Sequence, residues 1–286
     1  MNQDGIALIF SLVVVALLSI LVIEFSFLSR VDANIVGNWG NERRAYYLAK
    51  GGVSFGTYLL KRDKPGVDCY LDDWAKAIPP LPVGEGVITF EVSDEDGKIN
   101  VNSLIGSNGK LNVELSKVTE RLFELYDIDS EVLSSLLDHL GADSGEAFGE
   151  SDEQENGPFE TKKELAGFPG IDACLDFLTV YSSGKININT AGAPVVESLS
   201  AGIDERVAEA IIDYRTRTPF RNVAQFAAVP GVTPQILNDV KKVATVRSSF
   251  FTVKSTGSVN ELHKTVVAVI ERTKKGLNTV YWRSGT

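Results

Sequence analysis

The sequence predicts an α/β (α+β) chain in which one long N-terminal helix packs on an antiparallel sheet and a large α-helical domain is inserted. Three observations carry this prediction. An uncharged apolar run opens the chain, β-branched and aromatic runs close it, and between them lies a stretch of helical spacing punctuated by Pro-Gly turns.

From Ile6 to Ile23 the chain reads IALIFSLVVVALLSILVI, 18 residues without charge, Gly or Pro. At 1.5 Å per residue this spans roughly 27 Å, about the hydrocarbon thickness of a bilayer, so a single membrane-spanning helix is expected. A secretory signal peptide would carry a basic start and a small-x-small cleavage site, and only Asp4 and the amino terminus precede the run. No proline occurs before Pro65, so the helix is expected to continue as a stem to about residue 60, with Gly37, Gly40, Gly51 and Gly52 as its weak points.

Next comes an internal echo. The pattern G-K-I-N-[VI]-N-[ST] occurs at Gly97 and again at Gly184. Each copy supplies a glycine turn, a short alternating strand and a Ser or Thr suited to begin a helix. After the second copy, Val207, Ala208, Ala210, Ile211 and Tyr214 follow helical spacing, and Pro230-Gly231 joins two short helical segments. Phe168-Pro169-Gly170-Ile171 forms a related turn, and both read as helix-hairpin-helix (SAM-like) units. From Arg247 to Trp282 three β-branched and aromatic runs predict an antiparallel meander, to which Val87–Val92 adds a strand.

The composition, 44% hydrophobic and 23% charged, is that of a globular protein and excludes disorder and fibrous repeats. The charge of −10 is segregated: residues 91–176 hold 21 acidic against 6 basic side chains, and residues 184–247 hold 8 basic against 6 acidic. Cys69 and Cys174 are far apart and outside any C-x-x-C motif, which leaves either one disulfide or two separate thiols. His139 and His263 fall in no metalloprotease pattern, and neither a nucleophile elbow nor a phosphate loop occurs, so a non-catalytic protein is expected.

A very short hydrophilic leader ending in Gly5, followed by an apolar helix that continues as a stem, resembles type IV pilins and pseudopilins. That resemblance implies cutting by a prepilin peptidase between Gly5 and Ile6. It also implies an anchor in the bacterial inner membrane, a C-terminal domain in the periplasm and a pilin-like fold. The leader here contains Asp4 and no Lys or Arg, whereas the family's leader is basic. The fifth mature position, usually glutamate, is Phe10. The K-type minor pseudopilins of type II secretion characteristically lack that glutamate. The order RRAYYLAKGGVSFGTYLL, DGKINVNSL, ELAGFPGI, KININTA, TRTPF and VRSSFFTV is similar to that K-type family, general secretion pathway protein K.

The likeness implies a subunit at the tip of the pseudopilus that acts in assembly initiation and protein export. Its implied partners are the I- and J-type minor pseudopilins and the major pseudopilin. The implied organisation is a leader at 1–5 and a transmembrane helix at 6–28 continuing as the stem. Residues 61–103 with 247–286 form a pilin-like domain, and 104–246 form the inserted domain. Relatives carry a calcium-binding acidic loop, onto which Asp138, Asp143, Glu150 and Asp152 fall, although Gly141 stands where a further ligand is expected.

Two other readings compete. A membrane-anchored DNA receptor would use the Gly170 and Gly231 turns on phosphates, but a net charge near +2 beside an acidic block argues against nucleic acid. A minor tip pilin of a type IV pilus is the second.

Overall fold

The computed structural model describes residues 3–63, 66–106, 108–141 and 157–285. Helix α1 (Gln3–Arg62) is continuous for 60 residues, longer than expected, and runs unbroken through Gly37 and Gly40. Its apolar N-terminal window is wholly exposed, while Ala45, Ala49, Val53 and Leu60 near its other end are buried. One helix therefore has two environments, a bare apolar half and a half that packs.

Beyond it come β1 (Leu81–Val83), β2 (Gly86–Asp94), β3 (Ile99–Asn100), α2 (Val113–Leu125), α3 (Ser130–His139) and β4 (Leu178–Thr179). These are followed by β5 (Ile186–Asn187), α4 (Ala193–Ser198), α5 (Glu205–Arg217), α6 (Pro234–Val243) and β6 (Ala244–Thr245). The chain ends in β7 (Phe250–Val259), β8 (Leu262–Thr273) and β9 (Gly276–Gly285), the expected meander. The main sheet has the order β1-β2-β7-β8-β9 with every neighbour antiparallel.

Helix α1 lies across β2, β7 and β8, and Val53, Leu60, Trp74, Phe251, Val253, Val266 and Ile270 form the core between them. Two glycines set the approach. A Cβ on Gly257 would collide with the backbone of Ala45 and Ala49, and one on Gly52 would collide with Ser255. Both positions let backbone meet sheet without an intervening side chain.

A second, larger core contains Leu115, Leu122, Phe123, Leu136, Ile211, Phe220, Phe226 and Val240. It runs from Ile99 to Val246, so Ile99 and Val101, in the stretch 61–103 expected to belong to the sheet domain, pack with Leu104 into the helical head.

The echo proves structural. β3 pairs parallel with β4, and β5 pairs parallel with β6. Asn102 accepts from Phe159 N–H at 2.8 Å and donates to Phe159 C=O at 2.9 Å; Asn189 does the same with Phe220 at 2.8 and 3.0 Å. Each clamp leads into a 3-10 segment, Lys162–Gly167 or Val223–Ala228, and then a Pro-Gly turn with Gly170 at φ +77° and Gly231 at +91°. Each copy closes on a threonine, Thr179 or Thr245, whose hydroxyl accepts the N–H two residues on at 3.1 Å. Where helix-hairpin-helix units were expected, each Pro-Gly turn follows a 3-10 segment in place of an α-helix. Only the second continues into an α-helix, α6, while the first continues into the short 3-10 segments Ile171–Ala173 and Leu175–Phe177.

Candidate assembly helix and the polar seam beneath the head

The Gly5–Ile6 junction lies within the first turns of α1. Phe10 is 71% exposed on the bare half, and its neighbours Ile6, Leu8, Ile9, Leu12 and Val15 are exposed with it. From Ile6 to Ile23 the helix carries no carboxylate, and the next one is Glu24. Such a surface excludes water only by entering lipid or by packing on other apolar helices. Farther along, Val36, Trp39 and Tyr46 of α1 line an open groove with Lys264 of β8 and Ser284 of β9, about 870 Å³ in volume. Lys264 Nζ meets Glu42 at 2.5 Å at its edge.

The head is joined to the sheet by a buried polar seam. Alternation along β2 sends Ile88 and Asp94 to the same face, so the strand ends with a carboxylate pointing inward. Asp94 Oδ2 accepts from Asn187 Nδ2 at 3.1 Å, from Thr190 Oγ1 at 2.6 Å and from Ser248 Oγ. Its other oxygen accepts the Asp96 N–H at 2.8 Å. Asp96 accepts from both groups of Ser183 and from the N–H groups of Ser249 and Phe250. Glu95 takes Thr252, Lys98 and Thr179.

Three consecutive acidic residues, all buried, therefore bond to the head on one side and the sheet on the other. Burial and the nearby Asp96 charge raise Asp94 to about 7 against the pull of the Ser248 and Thr190 hydroxyls. Asp96 is raised too, again chiefly by burial. Arg215, itself buried, caps Ile188 C=O at 2.6 Å and also bonds Ala191 C=O. Tyr70 Oη donates to Thr190 C=O at 2.7 Å.

The sequence pointed to Asn187 only as part of a motif and did not single out Asp94 or Asp96, which sit at the edge of an acidic block and read as solvated. Strand parity from Ile88 was the available signal.

Of the acidic residues expected to hold calcium, Asp138 is exposed near the end of α3. Asp143, Glu150 and Asp152 lie outside the described residues. Cys69 and Cys174 are free, buried thiols, Cys174 within the head core. His139 stacks on Phe159 at 4.4 Å and His263 meets Ser258 at 2.8 Å, each in a packing or surface role. The Gly231 turn rests on Val207 and the Gly170 turn on Ile128, and both glycines are exposed.

A family model described as type II secretion system (T2SS), protein K matches residues 186–247, the second copy of the echo. The type II secretion system protein K of Pseudomonas aeruginosa is 25% identical over 306 residues, covering 96% of this chain and 90% of that one. The chain is similar to type II secretion system protein K over almost its whole length.

The K-family fold is matched in a solved structure as well. A chain of the GspK-GspI-GspJ complex from the enterotoxigenic Escherichia coli type 2 secretion system superposes with a TM-score of 0.70 at 19% identity. The match covers 88% of this chain and 99% of that one. The K-family alignment thus extends through the anchor, the sheet and the head. The family is a structural component of a secretion machine, and the long apolar α1 fits a single-pass membrane anchor.

Proposed function

We propose that this chain is a non-catalytic minor pseudopilin of a type II secretion system, set at the tip of the pseudopilus and acting in its assembly and in protein export. The observation that carries the reading is α1, whose exposed apolar half projects below a head and sheet locked together by the buried Asp94–Asn187 seam. The bare half serves first as an inner-membrane anchor, with the head in the periplasm, and then as the packed stem of a filament.

Two features support a position at the tip. The head adds a second core above the sheet, bulk that would obstruct a subunit stacked on top. Phe10 stands where a glutamate would pair with a neighbour's amino terminus, so the subunit needs no predecessor. The E. coli protein was solved with GspI and GspJ, which supports I- and J-type subunits as partners here, and the major pseudopilin is proposed as a further one. The groove beside Trp39 and Lys264 is suited to a neighbour's helix. Processing between Gly5 and Ile6 falls to a prepilin peptidase. Calcium is proposed at the carboxylate-dense stretch containing Asp138, Asp143, Glu150 and Asp152.

The test is complementation of a strain lacking its K-type subunit. Restored export, a mature chain beginning at Ile6 and single cross-linked complexes with I- and J-type subunits are expected. Distribution of the chain along the shaft overturns the reading.

A further inference from the structure

The chain leaves the sheet at Asp94 and returns to it at Ser248–Phe250, and three buried carboxylates grip that return. Asp68 accepts the Ser248 N–H at 2.7 Å, Asp94 accepts the Ser248 hydroxyl, and Asp96 accepts the N–H groups of Ser249 and Phe250 at 2.5 and 2.9 Å. From the head, Asn187 and Thr190 donate to Asp94 and Ser183 donates to Asp96. The apolar cores of head and sheet are separate, and the joint between them is polar.

The charged or titratable groups around Asp94 are Asp96 on its own strand, Asp68 and Tyr70 from the loop before β1, Arg215 from α5 and Arg272 from β8. Among the described residues no cation bonds Asp94 or Asp96. Arg272 is taken by Asp63, Asp68 and the Ser248 carbonyl, Arg215 by the carbonyls of Ile188 and Ala191, and Lys98 by Glu95. Two buried carboxylates are thus left within Coulomb reach of each other against neutral donors only. Ionising both is costly, so the pair favours holding one proton. The hydroxyls of Thr190 and Ser248 suit that state, because each can turn from donating to Asp94 to accepting its proton.

We propose that this joint is a proton-operated latch: one proton held among the carboxylates keeps the head shut on the sheet, and its loss to solvent lets the Ser248–Phe250 return and the Ser183–Thr190 edge of the head part locally. The direction follows from the two states. In the shut joint, burial and the Asp96 charge raise Asp94 to about 7. Opened to water, it falls back to the ordinary carboxylate value near 4. The shut joint therefore binds the proton more tightly, is firmest at low pH and loses that advantage as pH rises through 7.

The experiment is amide hydrogen exchange on the purified full-length chain in detergent micelles, from pH 5 to 8, corrected for the intrinsic rate. The reporters are the N–H groups that close the joint, those of Ser183, Asn187, Ser248, Ser249 and Phe250, and the control is the central part of β8. Protection of the reporters should fall by up to about tenfold per pH unit from pH 5 to 7 and level off above 7, as release of one proton requires. It should also stay well below that of β8 throughout, which marks a local opening apart from global unfolding. Asp94→Asn should make reporter protection independent of pH. Infrared spectra of the unaltered chain should show the band of a protonated carboxyl at pH 5 that is lost by pH 8, a readout that does not depend on the folding of the variant. Reporters protected as fully as β8, protection that does not change with pH, a slope that survives Asp94→Asn, or no protonated carboxyl at pH 5 each overturns the proposal.

Discussion

Asn187 donates a side-chain N–H to Asp94 at 3.1 Å, and the same amide reaches Ser248 Oγ at 2.7 Å and Asp68 C=O at 3.1 Å. One residue of the second echo thus bonds three separate segments of the sheet domain, while its own carbonyl oxygen accepts Asn189 N–H. Replacing it with alanine strands a buried carboxylate and a buried backbone oxygen. Asn187→Ala is expected to cost about 2–4 kcal/mol, read as a lowered urea midpoint. Asn102→Ala leaves the seam intact and should be milder.

The seam also titrates. Asp94, raised to about 7, keeps its proton in the folded chain at pH values where the unfolded carboxyl has lost it. The folded state therefore binds the extra proton between about pH 4 and 7, and this contribution is full at low pH and lost as pH rises through 7. Thermal melts between pH 5 and 8 should show stability falling toward the alkaline end. The Asp94→Asn variant should flatten that slope, and an unchanged slope would remove Asp94 as its source.

Helix-to-sheet contact predicts opposite signs for two glycines. Gly257→Ala drives a methyl into the Ala45 and Ala49 backbone and should cost about 1–3 kcal/mol. Gly37→Ala, with nothing nearby, should strengthen α1 by roughly 0.5–1 kcal/mol. Amide exchange along α1 reads both, faster in the first variant and slower in the second.

Both cysteines are expected to resist labelling in the native state. Cys174 is fully buried with its thiol pushed up to about 11 by desolvation, and burial raises Cys69 as well. Urea without reductant should expose two reactive thiols; finding none would mean that they are joined.

Phe10→Glu restores the carboxylate usual at the fifth mature position. The variant should appear within the shaft as well as at the tip when filaments are cross-linked, because its α1 can then pair with a neighbour's amino terminus.

Much of this was legible from spacing alone. The apolar run, the closing meander and the echo of seven positions each report a periodicity or turn that the backbone must obey. The echo set Asn102 and Asn189 at matching positions, but their clamps on Phe159 and Phe220 were not read from it. What stayed hidden depended on long-range meeting. Nothing local announces that Leu178 pairs with Ile99, or that Ala244 pairs with Ile186. The acidic Asp94, Glu95 and Asp96 look like a solvated run until the donors from Thr179, Ser183, Asn187 and Ser248 arrive from elsewhere.

Strands β2 and β7 are hydrogen-bonded partners from Gly86 opposite Val259 to Asp94 opposite Phe251. They amount to a β-hairpin whose turn is the whole stretch 95–249. Closing a flexible loop of that size would carry a heavy entropic penalty. A folded head reduces it, because Glu95 N–H meets Phe250 C=O at 2.9 Å and Asp96 grips Ser249 and Phe250. The head presents its two ends side by side, as a two-residue turn would. A preformed head therefore lowers the closure cost of the β2–β7 pair, the one contact of the sheet that spans the helical cassette.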